Sequence, residues 1–325
     1  MPSPAARDAR QTLAIAIPTY NRVDLLLELL GTIPPEYPVH VSDNGGFFSS
    51  ARPTESLGDR INIAPTDTVV PMFANWQRAA FAAAEASDYF VIPSDDDTFC
   101  PGAFASIQRA IDANPDVGMF IFGHNLIDEH GHRIGGWRPE QRLLAETGKG
   151  FSELCAGIAA RCPAIVLKSE TFKRLGGFDT GFKLSAADSW LIQKMALNGQ
   201  VLFEPEVVAN YRVWPHSFTS TQLGGVDWMT DILRWVAQLK QELVGRHGYS
   251  PRQASKFGDR IVVDNLVAGL NNEQSRKAVA LKFTFKHYVL PNGMGLVALA
   301  RLMKSVAKAS IVSLAGTRAP RRNAV

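Results

Sequence analysis

Three adjacent carboxylates, Asp95-Asp96-Asp97, form the most chemically loaded run in this 325-residue chain. They follow the apolar run Tyr89-Phe90-Val91-Ile92 and repel one another unless a cation or hydrogen-bond donors offset their charge. Hard divalent ions suit such a cluster, because Mg2+ or Mn2+ takes one or two carboxylates and completes its shell with water and substrate phosphate oxygens. A second use stays open for the same residues: an exposed acidic turn at the head of the helix that begins near Gly102. Cys100, Cys155 and Cys162 are odd in number and follow no metal-binding spacing. Neither a zinc module nor a disulfide framework is indicated, and a reducing, cytoplasmic setting is expected.

The elements that would position the cluster follow from the apolar pattern. With 46% hydrophobic and 20% charged residues the chain is apolar enough to fold as one large domain or two ordinary ones, which excludes disorder as its main state. Leu13 to Ile17 reads as a strand ending at Pro18, and Val23 to Leu30 is apolar at helical spacing. Val39 to Ser42 repeats the strand signal, Met72 to Ala86 is Ala-rich and helical, and Tyr89 to Ile92 is the strand before the acidic cluster. A helix from Gly102 to Ala113 and a strand from Val117 to Phe122 follow. Further strands are expected at Ala164 to Leu167, Val201 to Phe203 and Val207 to Val213, with a helix over Ser185 to Leu197 and a helical region from Val226 onward. The alternation predicts an α/β fold with a mostly parallel sheet flanked by helices. In open sheets of this kind ligands bind beyond the carboxyl ends of the strands, where Thr19-Tyr20-Asn21, Asp43 and Asp95 to Asp97 all fall.

Four segments, in order, carry a resemblance. Ile17-Pro18-Thr19-Tyr20-Asn21-Arg22, Val41-Ser42-Asp43-Asn44-Gly45, Ser94-Asp95-Asp96-Asp97 with Pro101 beyond it, and Gly176-Gly177-Phe178-Asp179 followed by Ala187-Asp188 resemble the signature of family 2 glycosyltransferases with a GT-A fold. The resemblance spans residues 13 to 215. It implies a glycosyltransferase of the hexosyltransferase type, moving a sugar from a nucleotide-diphosphate donor, UDP or dTDP, to a glycan or lipid-linked acceptor with inversion. The implied setting is cell-surface polysaccharide or glycolipid assembly. Composition places a boundary near residue 225, giving a GT-A-like domain over residues 10–225 and a helical, basic C-terminal extension over 226–325, about which the resemblance says little.

Residue by residue, the resemblance implies that Pro18, Thr19 and Tyr20 line the nucleotide pocket and that Asp43 accepts a hydrogen bond from the base. An acceptor-only carboxylate after a strand suits an imide N–H, and an Asx-turn closing the corner is its structural alternative. Asp97 would bind the metal, Mn2+ or Mg2+, with Asp95 and His216 as further ligands. Asp95 and Asp96 would also bind ribose or donor-sugar hydroxyls. Asn75 matches a donor-site position, with a solvent-facing role as the alternative, and Arg212 could clamp a phosphate as a planar fork. Asp188 is the implied general base, with plain helix capping as its alternative. The pattern departs at Ser94 and Ala187, where the family carries acids. Trp137 and Trp190 are candidates either for stacking on an acceptor sugar or for core packing, and Arg22 for a solvated helix start.

Two related activities fit less well. A nucleotidylyltransferase needs a Gly-rich loop after the first strand, and Pro18-Thr19-Tyr20-Asn21 has none; a phosphatase with an Asp-x-Asp nucleophile needs its pair there. A non-catalytic scaffold of the same fold, binding a nucleotide sugar or a membrane, is the alternative outside enzymes.

Charge is distributed unevenly. Residues 274–325 hold ten Lys/Arg and no Asp or Glu, leaving 24 basic and 31 acidic side chains, a net of −7, in residues 1–273. Leu296, Leu299, Met303, Val306, Ile311 and Leu314 recur at helical spacing opposite Arg301, Lys304 and Lys308. Two readings stay open for this helix: an anionic membrane surface, on the inner face of the plasma membrane, or ordinary docking on the core. No run approaches the ~18 apolar residues of a membrane span, and the polar lead-in Met1 to Gln11 is not expected to be a signal peptide. No nucleic-acid partner is expected, since no reading motif accompanies the basic charge.

Overall fold

Strand β1 (Leu13–Thr19) is buried along its whole length, as expected of a parallel strand covered on both faces. The computed structural model describes residues 11–51, 58–154, 159–214, 221–271 and 277–316. His216, Cys155, Arg318, Arg321 and Arg322 lie outside them, as do the side chains of Lys308, Ile311 and Leu314.

β1 pairs in parallel with β2 (Val39–Asp43), and β2 with β3 (Ile61–Pro65). On its other side β1 pairs in parallel with β4 (Tyr89–Val91). β5 is the two-residue strand Thr98–Phe99. Beyond β4 the sheet continues through β9 (Ile165–Lys168), antiparallel to both neighbours, to β6 (Met119–Ile127) and the long β10 (Val201–Arg212), giving the order β3-β2-β1-β4-β9-β6-β10-β5. β7 (Arg133–Trp137) forms a hairpin with β6, and β8 (Leu143–Ala145) pairs with β10.

Helices flank this sheet. In α1 (Val23–Gly31), Leu26, Leu29 and Leu30 form one buried face, three and four residues apart. α2 is the single turn Phe47–Ala51, and α3 (Met72–Ala86) packs its small residues Ala79, Ala80, Ala83 and Ala84 into the core near β1 and β2. α4 (Ala103–Ala113) starts after Gly102, whose φ of +78° no branched side chain would tolerate cheaply. The short α5 (Gly150–Leu154) and α6 (Ser169–Arg174) precede α7 (Ala187–Asn198). Phe90, Phe120 and Phe122 have no exposed surface, and each contributes roughly 1.5–3 kcal/mol of burial.

The chain divides into two compact units, Met1–Lys183 with Ala187–Trp214, and Leu184–Ala186 with Pro215–Val325. The second is helical: α8 (Val226–Arg246), α9 (Pro251–Asn271), α10 (Lys277–Thr284), a π-helical turn Phe285–Val289 running into Leu290–Asn292, and α11 (Leu296–Gly316). Gly224 and Gly269 let two backbones meet, since a Cβ on either would lie within 2.6 Å of the other residue's Cα. Buried Asp259 accepts from the Tyr288 hydroxyl at 2.9 Å and the Gly295 amide at 2.8 Å, tying α9 to the turn before α11. In α11 Leu302 is the buried contact and Arg301 pairs with Asp264 of α9 at 2.6 Å, while Leu296, Val297 and Met303 stay exposed. Of the apolar stripe expected from periodicity, Leu296 and Met303 are exposed and Leu299 and Val306 half-buried, while the buried residue, Leu302, lies outside it.

Candidate active site

The sheet register sets the site. Thr19 at the end of β1 lies opposite Asp43 at the end of β2, and the loop after β4 carries Asp95 to Asp97 onto the same rim. Asp95 is bound by the first loop: its Oδ2 accepts from Thr19 Oγ1 at 2.8 Å and from the Tyr20 amide at 3.1 Å. Arg22 Nη1 reaches Asp95 Oδ1 at 3.2 Å and Asp96 Oδ2 at 2.6 Å, so Arg22 belongs to the site rather than to solvent. Trp214 Nε1 donates to Asp96 Oδ2 at 3.0 Å.

Asp97 is 1% exposed. Its oxygens accept from the Ser94 amide at 2.9 Å and the Arg212 amide at 3.2 Å. Burial, and then the charge of Asp96, push its carboxyl well above the usual carboxylate range. Burial likewise raises Asp95 against the opposing pull of Arg22. All three acids are buried and α4 has no side-chain cap, which rules out the exposed acidic turn.

Arg212 is also buried, with every guanidinium nitrogen committed. Nη2 meets Glu28 at 2.7 Å, Nε donates to the Asp96 carbonyl at 2.8 Å, and Nη1 donates to the Asp128 and Glu129 carbonyls. It pins the acidic loop in place, where the sequence suggested a phosphate clamp. Asn75 faces inward, its Oδ1 accepting from Ser42 Oγ at 2.7 Å and its Nδ2 donating to the Thr19 carbonyl at 3.2 Å. Asp43 has no exposed surface and accepts the Phe48 and Ser49 amides of α2 at 3.2 and 2.8 Å. Pro18 is buried within β1, whereas Tyr20 is half exposed, edge-on to Phe47 at 5.3 Å.

Asp188 sits in the first turn of α7 and is half-buried. It lines a narrow cavity with Cys162, Ile92, Phe178 and Leu191. Burial, followed by the negative charges of Asp188 and Asp97, raises the Cys162 thiol well above its ordinary range, so both carboxylates lie within electrostatic reach of one sulfur. The non-glycine residues with positive φ among the described residues are Asn21 (51°) and Ala186 (69°). They adjoin the first loop and Asp188, and an alanine there costs on the order of 1 kcal/mol.

These carboxylates can hold a divalent cation in one particular way. Arg22 compensates Asp95 and Asp96, while Asp97 has no side-chain cation partner among the described residues. Among those residues no three His, Cys, Asp or Glu side chains form a metal-holding group. An ion held by Asp97 with Asp95 would need water or phosphate oxygens to complete its shell.

Sequence reading missed Arg161 and His124, which belong to this neighbourhood, and gave Tyr211 no role beyond its place in the Tyr211-Arg212 strand. The Arg161 guanidinium lies 5.2 Å above the Tyr211 ring, next in sequence to Arg212, and His124 lies 6.0 Å from the half-buried Trp137. No motif marks Arg161 or His124, which come from separate segments of the chain. Trp190 is 5% exposed and packs in the core.

No protein-family model matches the chain, and neither does any curated protein. Solved structures do resemble it. Staphylococcus aureus TarS (residues 1-349) matches with a TM-score of 0.55 at 12% identity, over 92% of this chain and 80% of that one. The same protein in complex with UDP-GlcNAc gives 0.51 at 13% identity, over the same shares. The mannosyltransferase PcManGT from Pyrobaculum calidifontis, in complex with GDP-Man and Mn2+, gives 0.50 at 17% identity, over 93% and 88%. The fold is of the GT-A type, an α/β sheet flanked by helices with further helices at the C-terminus.

Proposed function

We propose that this protein is a family 2, metal-dependent, inverting glycosyltransferase that moves a sugar from UDP or dTDP to a glycan or lipid-linked hydroxyl. One observation carries the reading: a buried acidic loop at the strand ends, fastened to the first loop by the bond from Thr19 to Asp95. The ligand-bound structures with the same fold, one with UDP-GlcNAc and one with GDP-Man and Mn2+, support the choice of donor class.

Tyr20 offers an exposed ring for the base, and Thr19, Asn75 and Asp43 hold the pocket walls behind it. Asp95 and Asp96 face the ribose and donor sugar. Asp97, with Asp95, would hold Mg2+ or Mn2+, which supplies Lewis-acid stabilisation of the departing diphosphate. Arg212 keeps that loop in place. Asp188 takes the proton from the acceptor hydroxyl. The acceptor oxygen then bonds to the anomeric carbon while the bond from that carbon to the phosphate oxygen breaks, and the nucleoside diphosphate leaves with the electron pair. The basic C-terminal helices bring the enzyme to an anionic bilayer, where glycolipid or surface-polysaccharide assembly takes place.

The test is thermal-shift binding of UDP, dTDP, GDP, CDP and ADP, each with Mn2+ and with EDTA, together with donor hydrolysis. One pyrimidine diphosphate is expected to stabilise the wild type by ~2.7 kcal/mol at ~100 times its dissociation constant. EDTA or Asp97→Ala should abolish that shift, and Asp188→Asn should keep it while lowering turnover by about 10²–10⁴. Binding without turnover on any acceptor would instead favour the scaffold, and no binding of any nucleotide would sink both.

A further inference from the structure

We propose that Arg161, His124, Trp137 and Tyr211 form a subsite for a phosphoryl group carried by the acceptor; this rests on the transferase reading above. Topology separates the subsite from the donor pocket. Thr19, Asp43 and Asn75 come from β1, β2 and α3, on one side of β4. The four residues come from β6, β7, β10 and the turn before β9, on the other side. Tyr211 is joined to the acidic loop by its neighbour, since the Arg212 amide donates to Asp97. The subsite therefore adjoins the reacting groups without overlapping the nucleotide pocket.

The chemistry of these side chains suits an anion on a sugar. Arg22, Arg109, Arg142 and Arg212 each pair with a carboxylate, whereas Arg161 is exposed, stacks on Tyr211 and makes no such pair among the described residues. A planar guanidinium held by a ring presents its fork to a phosphoryl group in bidentate fashion. His124 is 2% exposed and its Nδ1 has no hydrogen-bond partner, an arrangement that is costly unless a ligand completes it. Burial, followed by the charge of Arg161, lowers this imidazole to about 4, so it is neutral at pH 7 and contributes hydrogen bonding rather than charge. Trp137 supplies a flat apolar face for the sugar ring. Its approach to His124 depends on Gly136, where a Cβ would lie 2.7 Å from the His124 carbonyl oxygen.

A phosphoryl group could come from the acceptor or from the donor diphosphate, and the test separates the two. Histidine ring signals of the full-length protein would be followed by NMR while inorganic phosphate is added, with and without saturating UDP and Mn2+. Saturable movement of the His124 signals is expected in both cases, with the apparent Kd at least tenfold weaker in Arg161→Ala and partly restored in Arg161→Lys. If UDP abolishes the response, the group recognised is the donor's and the acceptor assignment falls. If phosphate leaves His124 unmoved, or moves it equally in Arg161→Ala, there is no such subsite. A phosphate response in a protein that binds no nucleotide would count against the transferase reading alone.

Discussion

At the scale of single residues, burial decides which groups carry charge. His124 is held neutral because an imidazolium there would lose its hydration and face Arg161. Its pKa drops from 6.5 unfolded to about 4 folded, so between those values the unfolded chain binds a proton that the folded chain does not. The contribution is complete above pH 6.5 and is lost as pH falls towards 4, up to about 3 kcal/mol at ~1.4 kcal/mol per unit. Urea unfolding of the wild type between pH 7 and pH 4 should show this loss, and His124→Gln should show a loss smaller by most of it. Equal slopes for the two proteins would mean that His124 is not shielded. The same dependence on three-dimensional surroundings decided which site residues could be read from sequence. Asp95, Asp97, Asp43 and Asp188 stand in ordered motifs that single them out as candidates, whereas Arg161 and His124 carry no motif and meet Tyr211 only after folding. Arg212 was found, but its role was not: nothing in Tyr211-Arg212-Val213 reveals that Glu28 and three backbone carbonyls will occupy its guanidinium.

At the scale of elements, contacts between backbones set limits that composition does not show. Gly269 lies inside α9, where an alanine gains about 1 kcal/mol of helix propensity. Yet its Cβ would meet the Gly224 Cα at 2.6 Å, and backbone cannot rotate aside as a side chain can. Overpacking of this kind costs roughly 1–3 kcal/mol, so Gly269→Ala is expected to lower stability by about 1–2 kcal/mol. Gly245 in α8 has nothing within 4 Å of a built Cβ, and Gly245→Ala should raise stability by about 0.5–1 kcal/mol. Thermal unfolding of the two variants would reverse the argument if both moved in the same direction. The elements themselves were legible where the apolar period was strong, as in β1, α1, α3 and α4. β3 was not, because as an edge strand it is only half-buried and its five residues show little pattern. The sequence pattern predicts two strands, Val201 to Phe203 and Val207 to Val213, interrupted at Glu204-Pro205-Glu206. The structure has one strand, Val201–Arg212, whose register shifts between Phe203 and Val207, and a bulge is where a sheet tolerates proline.

At the scale of the whole molecule, a net charge of +3 conceals an acidic body and a tail of ten Lys/Arg with no acid. The described part of that tail exposes Phe285 at 53%, Leu290 at 68%, Leu296 at 84% and Val297 at 86%, beside Lys282 and Lys286. Apolar side chains around a turn, flanked by cations, suit the interface of an anionic bilayer, where each cation contributes about 1 kcal/mol near the surface. No described helix is long and apolar enough to cross a membrane. Sequence alone could not choose between packing and membrane binding, because hydrophobic period does not say which residues of α11 meet α9. The structure assigns Leu302 and Arg301 to packing and leaves Leu296 and Val297 for other contacts. Flotation with vesicles should therefore show binding to phosphatidylserine-containing membranes and little to pure phosphatidylcholine, falling steeply as salt rises from 0.1 M, where the screening length is ~10 Å. Leu296→Asp with Val297→Asp should reduce the bound fraction severalfold while leaving nucleotide thermal shifts in place. Binding that ignores lipid charge, or a double variant that floats like the wild type, would show that this turn does not enter the bilayer.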